Sequence, residues 1–365
     1  MSRARASCRA ASMVLAAVLC AATAVAQVNT PATPASSGQT PSQDAPSGFA
    51  RWVDTQAFTV AARYNHIEDG SDETLQNRLQ TQVQFRAALL FDPAGHYRLH
   101  AGLATGNGFR SGWNSTGIGT GDGTAKISLT QLFVSAQLVD GVALEYGSLP
   151  PARGQSTEIT TYDNDAYITA GRLTLRRPRE AFFDEIIVSV GYVGYLDEPF
   201  VFDRTGAFSR QNYWQVLASK QLLRGLTLST DYSTLEDDGI LRQGATWRVD
   251  QAFVDSLRAE YGVRLRGGSH ETALAFSGEK QIARVTVGAG YAHVDPSFGD
   301  LNGDPYDAGN RVFTDGSIAL PFDLSAAWFA QKEISPPATS TNGMRVDLIL
   351  RWNVLNALKH LAAAP

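Results

Sequence analysis

Arg78 and Arg86 stand eight residues apart and Arg172 and Arg176 four apart, spacings that put each pair on one face of an extended strand. Fixed guanidinium groups in rows facing water would raise the local concentration of anions, because rings of like charge act strongly on ions passing close by. Arg248, Arg258, Arg264 and Arg351 bear the same relation to their apolar neighbours, as do Arg98, Arg242, Arg284 and Arg345, and Gln82 is a neutral polar member of the first row. Acids of the same parity are Glu145, Asp231, Glu260, Glu271, Glu279, Asp315 and Asp347. Arginine therefore exceeds acid on this face, although the whole chain carries a formal charge of −5. In the competing arrangement the arginines are engaged by neighbouring carboxylates, as Arg258 by Glu260 or Arg345 by Asp347.

The segment from Pro151 to Asp165 offers a second set of charges, Arg153, Glu158, Asp163 and Asp165, beside the hydrogen-bonding residues Thr157, Thr160, Thr161 and Tyr162. Folded inward, its acids would face the arginine rows and set up a transverse field at a constriction, which favours small polar solutes. Left on the surface it is an ordinary exposed loop. Other chemistry is poorly supported. None of the histidines, His66, His96, His100, His270, His293 and His360, sits in a Gly-x-Ser-x-Gly or His-Glu-x-x-His setting. His96 and His100 share a strand face but stand nearly 13 Å apart at about 3.3 Å per residue, too far for one metal. Asp300-Leu301-Asn302-Gly303-Asp304 starts like a calcium loop, yet Pro305 replaces the turn glycine and Arg311 the bidentate glutamate. Gly102 to Asn107 lacks the Gly-Lys-Ser/Thr ending of a phosphate loop. The expectation is no catalytic residue, no metal and no cofactor: a protein that is not an enzyme.

The elements that position these residues are strands. From Leu75 to Phe91, Leu75, Leu79, Val83, Phe85, Ala87, Leu89 and Phe91 share one parity, and Arg78, Gln80, Gln82, Gln84 and Arg86 the other, which makes one face oily and one wet. The same alternation predicts strands at 56–66, 77–91, 96–107, 126–138, 142–150, 166–177, 184–195, 210–221, 225–235, 240–250, 255–266, 270–281, 284–294, 311–320, 323–332 and 343–353. Connections after the even-numbered strands are short, as at Asp92-Pro93-Ala94-Gly95, Val139-Asp140-Gly141, Leu223-Arg224 and Pro321-Phe322, whereas the long ones include 108–125, 151–165, 197–209, 296–310 and 334–342. This is the rhythm of an all-β, transmembrane antiparallel barrel of about sixteen strands, with both termini on the short-turn side. A miscount of one hairpin would give fourteen or eighteen and the same sidedness. Trp52, Tyr97, Tyr146, Trp214, Trp247, Trp328 and Trp352 fall near strand ends or on the apolar parity, as an interfacial girdle does.

Residues 1–26 read as a cleavable signal peptide: Arg3, Arg5 and Arg9, an apolar core from Met13 to Ala24, and the cleavage site Ala24-Val25-Ala26. Leu19 before Cys20 argues against a lipoprotein site. Both cysteines, Cys8 and Cys20, leave with this leader, which removes disulfides and thiolate chemistry, and loss of the three arginines takes the formal charge to −8. An acidic exported chain is a poor binder of nucleic acid. Residues 27–50 are a Pro/Ser-rich periplasmic lead-in without periodicity, expected to be disordered. The barrel is expected over 51–355 and a short tail, frayed or helical, over 356–365. No stretch after the leader offers the ~18 apolar residues of a membrane helix.

Asn77-Arg78, Gly102 to Asn107, Leu132-Phe133-Val134, Tyr146-Gly147 and Tyr162-Asp163-Asn164-Asp165-Ala166-Tyr167 resemble the porin family of Gram-negative outer membranes. The likeness covers the N-terminal third of the barrel. The resemblance implies a general or weakly selective diffusion channel in the cell outer membrane, in contact with outer-membrane lipid, and it brings no catalytic residues. The lead-in departs from members that begin with a coiled coil. Analogy with general porins adds a homotrimer. The functional expectation is a passive channel for small hydrophilic solutes and ions, modestly anion-selective; the alternative is a non-conducting barrel acting as an adhesin or surface-binding protein.

Overall fold

The computed structural model describes residues 52–106, 112–155, 167–176, 182–193, 200–204, 210–235, 238–249, 251–266, 269–298, 306–335 and 343–362. The expected leader and lead-in lie outside the described residues, as do the 300–304 motif and residues 156–166. In chain order the strands are β1 Val53–Glu68, β2 Thr74–Leu90, β3 Tyr97–Thr105, β4 Asn114–Gly119, β5 Ile127–Val139, β6 Val142–Leu149, β7 Ile168–Arg176, β8 Glu185–Tyr192, β9 Tyr213–Leu223, β10 Leu226–Leu235, β11 Asp238–Arg248, β12 Ser256–Arg266, β13 Ser269–Ile282, β14 Val285–Val294, β15 Gly309–Ala319, β16 Leu324–Ser335 and β17 Met344–Asn353. A helix, α1, follows at Val354–Ala362, directly on the last strand and so two residues before the expected tail.

Neighbouring strands pair antiparallel all the way round, and β1 pairs with β17 from Thr59 opposite Asn353 to Glu68 opposite Met344. The sheet is a closed barrel of sixteen wall positions. The extra strand arises at the third position, which is built in two pieces. β3 pairs with β2 from Leu90 to Gln84, and β4 takes over along β2 at Thr81, Gln80 and Arg78. Residues 114–119, expected within a long loop, thus extend the wall; their small polar and glycine residues carry too little alternation to signal a strand. At the other rim the turns are tight. Asp140-Gly141 joins β5 to β6 with Gly141 at φ +75°, and a Cβ there would collide with the Arg176 carbonyl, so this turn requires glycine.

Following the pairings around the barrel divides every strand by parity. One face carries Asn65, Gln80, Gln82, Gln131, Arg172, Gln215, Asp231, Arg242, Glu260 and Asp347, all buried. The other carries Val60, Tyr64, Leu103, Val134, Leu144, Tyr146, Trp214, Trp247, Tyr261, Leu274, Phe276, Leu348, Leu350 and Trp352, all exposed. Soluble proteins rarely expose apolar patches beyond a few hundred Å², whereas this face is apolar around the whole wall, as a lipid-facing surface is. Trp214 and Tyr232 meet edge-on across β9 and β10 at 5.1 Å between ring centroids, a contact that stiffens the outer face. The rim that carries the tight turns also exposes apolar side chains at turn after turn: Phe91, Val139, Phe182, Leu223, Phe253, Ile282 and Phe322. No described helix is long and apolar enough to cross a membrane.

Candidate functional site: the inner wall

Polar side chains confined inside a closed wall must satisfy one another or water. Asp231 on β10 lies directly opposite Arg242 on β11. The guanidinium donates to Asp231 Oδ1 from Nε at 2.9 Å and Nη2 at 2.6 Å, and Nη2 donates to Ser233 Oγ at 2.7 Å. Gln215 Nε2 on β9 donates to the other carboxylate oxygen of Asp231, and Tyr213 OH donates to Gln215 Oε1 at 3.0 Å. With Arg242 2% and Asp231 1% exposed, the charges hold each other rather than passing ions.

The remaining candidates sort into engaged and open. Arg172 meets Glu145 across β7 and β6 at 3.3 Å, and also donates to Ser189 Oγ at 3.2 Å and to the Pro150 carbonyl. Arg264 pairs with Asp238 at 2.6 Å, Arg176 with Glu185 at 2.5 Å and Arg345 with Asp347 at 2.7 Å. Arg258 pairs with Glu279 at 3.0 Å and not with Glu260; Glu260 shares its strand, two residues along, while Glu279 comes from β13 near the same rim. Arg78 donates to Asn65 Oδ1 at 3.4 Å, and Asn65 in turn to Asp347 Oδ1 at 2.7 Å. Gln82 is buried. Arg86, Arg248 and Arg351 form no ion pair among the described residues, and all three stand toward the tight-turn rim. Arg284 is exposed in the β14 turn rather than on a strand.

The start of the 151–165 segment folds onto the inner face of β9, β10 and β11. Gln155 N–H donates to Ser229 Oγ of β10 at 2.6 Å, and the Ala152 carbonyl accepts from Gln215 Nε2 at 3.0 Å. A Cβ on Gly244 of β11 would coincide with the Gln155 carbonyl. Glycine at 244 is therefore the seat of this loop. Arg153 is half-buried in it; Glu158, Asp163 and Asp165 lie outside the described residues.

Some of the inner face was not expected from the sequence. Arg63 donates to Gln80 Oε1 at 2.9 and 2.7 Å and stacks over Trp113 at 4.5 Å, and Arg311, wholly buried, donates to the Asp307 and Ala308 carbonyls at 3.0 Å each. Arg63 stands in the same odd parity as Asn65, a signal present but unread. Arg204, from the segment between β8 and β9, lies over the Tyr167 ring at 3.7 Å and donates to the Thr130 carbonyl at 2.8 Å. Two apolar clusters are also buried on the inner side: Leu149, Tyr167, Ile168, Ala170, Val193 and Tyr213, and, farther round the barrel, Ile240, Ala273, Ala292, Val294, Phe298, Tyr306 and Phe313. A uniformly wet inner face is corrected by them. Phe298 and Tyr306 come from connections that no strand pattern places, while Tyr167, expected within the strand 166–177, stands one residue before β7. His96 pairs with Asp92 at 3.1 Å while His100 stacks on Phe133 at 4.4 Å, so they serve separate neighbours. Among the described residues no group of acids and histidines is placed to hold a metal.

No protein-family model matches the chain, and no curated protein sequence does. Solved structures do match. Pseudomonas putida OprB at high pH superposes with a TM-score of 0.54 at 12% identity over 83% of this chain and 94% of that one. Salmonella typhi OmpF in complex with daunomycin gives 0.53 at 10% over 83% and 98%, and a mutant of the Rh. blastica porin gives 0.51 at 11% over 81% and 99%. At these identities the likeness is one of fold: the chain has the architecture of a bacterial porin barrel.

Proposed function

We propose that the protein is an outer-membrane porin, a passive diffusion channel for small hydrophilic solutes and ions with a modest preference for anions. The observation that carries this reading is the division of the wall: apolar outside around the whole circumference, polar and arginine-rich inside. Sixteen strands enclose an aqueous lumen rather than a side-chain-filled core. Most inner arginines are neutralised by partners, so selectivity rests on the open ones, Arg86, Arg248 and Arg351, with Arg78, Arg172, Arg176, Arg258 and Arg264 setting the field behind them. The loop seated on Gly244 narrows the passage, and Arg153, Glu158, Asp163 and Asp165 belong to that constriction. Acids at the mouth act over a Debye length of only ~8 Å at physiological salt. Outer-membrane lipid covers the exterior, three copies assemble as in general porins, and nucleic acid is not a partner. Residues 1–26 direct export.

Planar-bilayer recording of the purified protein tests this. Stepwise currents are expected, with reversal potentials in a KCl gradient on the anion side. Replacing Arg86, Arg248 and Arg351 together by Gln moves the reversal potential toward cations, and Gly244→Val changes the unit conductance by unseating the loop. A clear cation preference in the unmodified protein would remove the selectivity reading. The inward placement of Tyr167, Arg204, Phe298 and Tyr306 favours one rival, a barrel closed by its loops that serves as an adhesin. Silence over repeated insertions would support that rival.

A further inference from the structure

After Asn353 the chain turns into α1 and lies against the outside of the wall it has just completed. Trp352 and Leu324, opposite each other across β17 and β16 and both of outward parity, form one side of a groove. Ala357, His360 and Leu361 of α1 form the other, and Phe322 and Asp323 from the β15–β16 turn close one end. The groove, open along one side, offers about 760 Å³, within the ~300–1,000 Å³ of ordinary small-molecule sites. Its lining is apolar apart from Asp323 and His360, which pair at 3.0 Å.

We infer that this groove is a phospholipid site, in which one acyl chain lies between α1 and the wall and the headgroup phosphate rests beside Lys359 and His360. The inference relies on the membrane-barrel reading above. Three observations favour a lipid over another occupant. The rim on which α1 lies exposes apolar side chains at turn after turn, Phe91, Val139, Phe182, Leu223, Phe253, Ile282 and Phe322, so the groove opens where acyl chains and headgroups meet. α1 is amphipathic: Val354, Leu355, Leu358 and Leu361 are apolar, and its charged residues, Lys359 and His360, both lie in the last turn, the arrangement of a helix lying in an interface. Finally, Lys359, next to the lining residue His360 in the last turn, forms no ion pair among the described residues and offers a phosphate a positive charge, whereas His360 is held by Asp323.

The test uses the full chain in mild detergent, titrated with phosphatidylglycerol and followed by native mass spectrometry. One phospholipid per chain is expected to survive dilution that strips the surrounding lipid. Ala357→Trp fills the groove from the helix side, leaving every wall residue unsubstituted, and should lower retention by roughly tenfold or more, the scale of a lost buried apolar contact. Lys359→Glu should weaken it without altering folding. Both variants should insert into bilayers and migrate as the unmodified protein does. Equal retention by Ala357→Trp and the unmodified chain would overturn the site while leaving the barrel intact. Failure of the unmodified chain to insert would instead remove the channel reading. A groove-dependent dimer with no bound lipid would assign the site to a second copy and likewise overturn it.

Discussion

Asp231 and Arg242 face each other across β10 and β11 with almost no exposed surface, so neither can be altered without stranding the other. Breaking such a pair by removing one partner costs about 3–5 kcal/mol. Asp231→Ala should therefore lower the unfolding free energy in urea by that amount, with Gln215 keeping only the Ala152 carbonyl as acceptor. Glu185→Ala should cost under ~1 kcal/mol, because its partner Arg176 is 72% exposed and water screens the pair. Equilibrium unfolding in lipid or detergent separates the two. At this scale parity was legible: Arg78, Arg86, Arg172, Arg176, Arg248, Arg258, Arg264 and Arg351 all stand on one face. Which carboxylate each would meet was not, because Arg258 with Glu279 depends on the register of β12 against β13, and no side-chain pattern fixes that.

The connections carry their own chemistry. Asp92 is held below the ordinary carboxylate range by the Tyr97 amide, Asp69 by the Ser71 hydroxyl and the amides of Glu73 and Ser71, and Asp255 by the Lys280 ammonium and the Gln281 amide. A depressed acid stabilises its turn above its unfolded value, about 3.9, and that support is lost as pH falls through the folded value. Hydrogen-exchange protection at Tyr97, Glu73 and Gln281, corrected for intrinsic rates, should be flat from neutral pH to about 5 and fall in more acid solution, while mid-strand amides keep theirs. Protection that falls instead near neutrality would contradict this account. Strand positions were legible to within a few residues because alternation has a period of two. β4 was not, and neither was the docking of the 151–155 segment, since Gln155 on Ser229 is a contact between residues 74 positions apart that involves no periodic pattern.

For the molecule as a whole, the long and short rhythm of connections was sufficient to give sixteen wall positions and both ends of the wall on one rim. A folded barrel of this kind keeps its hydrogen-bonded wall in detergent, so the unheated protein should migrate on gels apart from the boiled one; identical migration, or a helical far-UV spectrum, would contradict the architecture. The inner apolar clusters around Tyr167 and Phe298 escaped the sequence because they are completed by connections folding back into the barrel. The seam between β1 and β17 bears on how the molecule assembles. Asn65 and Asp347 bond across it although they lie 282 residues apart, whereas most other wall contacts join strands next to each other in the chain. Bringing such distant ends together costs roughly 5 kcal/mol of loop entropy by the logarithmic scaling of closure, and nothing repays that until the seam zips. Hairpins can form locally and early, but the ring shuts late and in one step. The slow event of assembly is thus placed at the strands that carry the first and last residues of the wall.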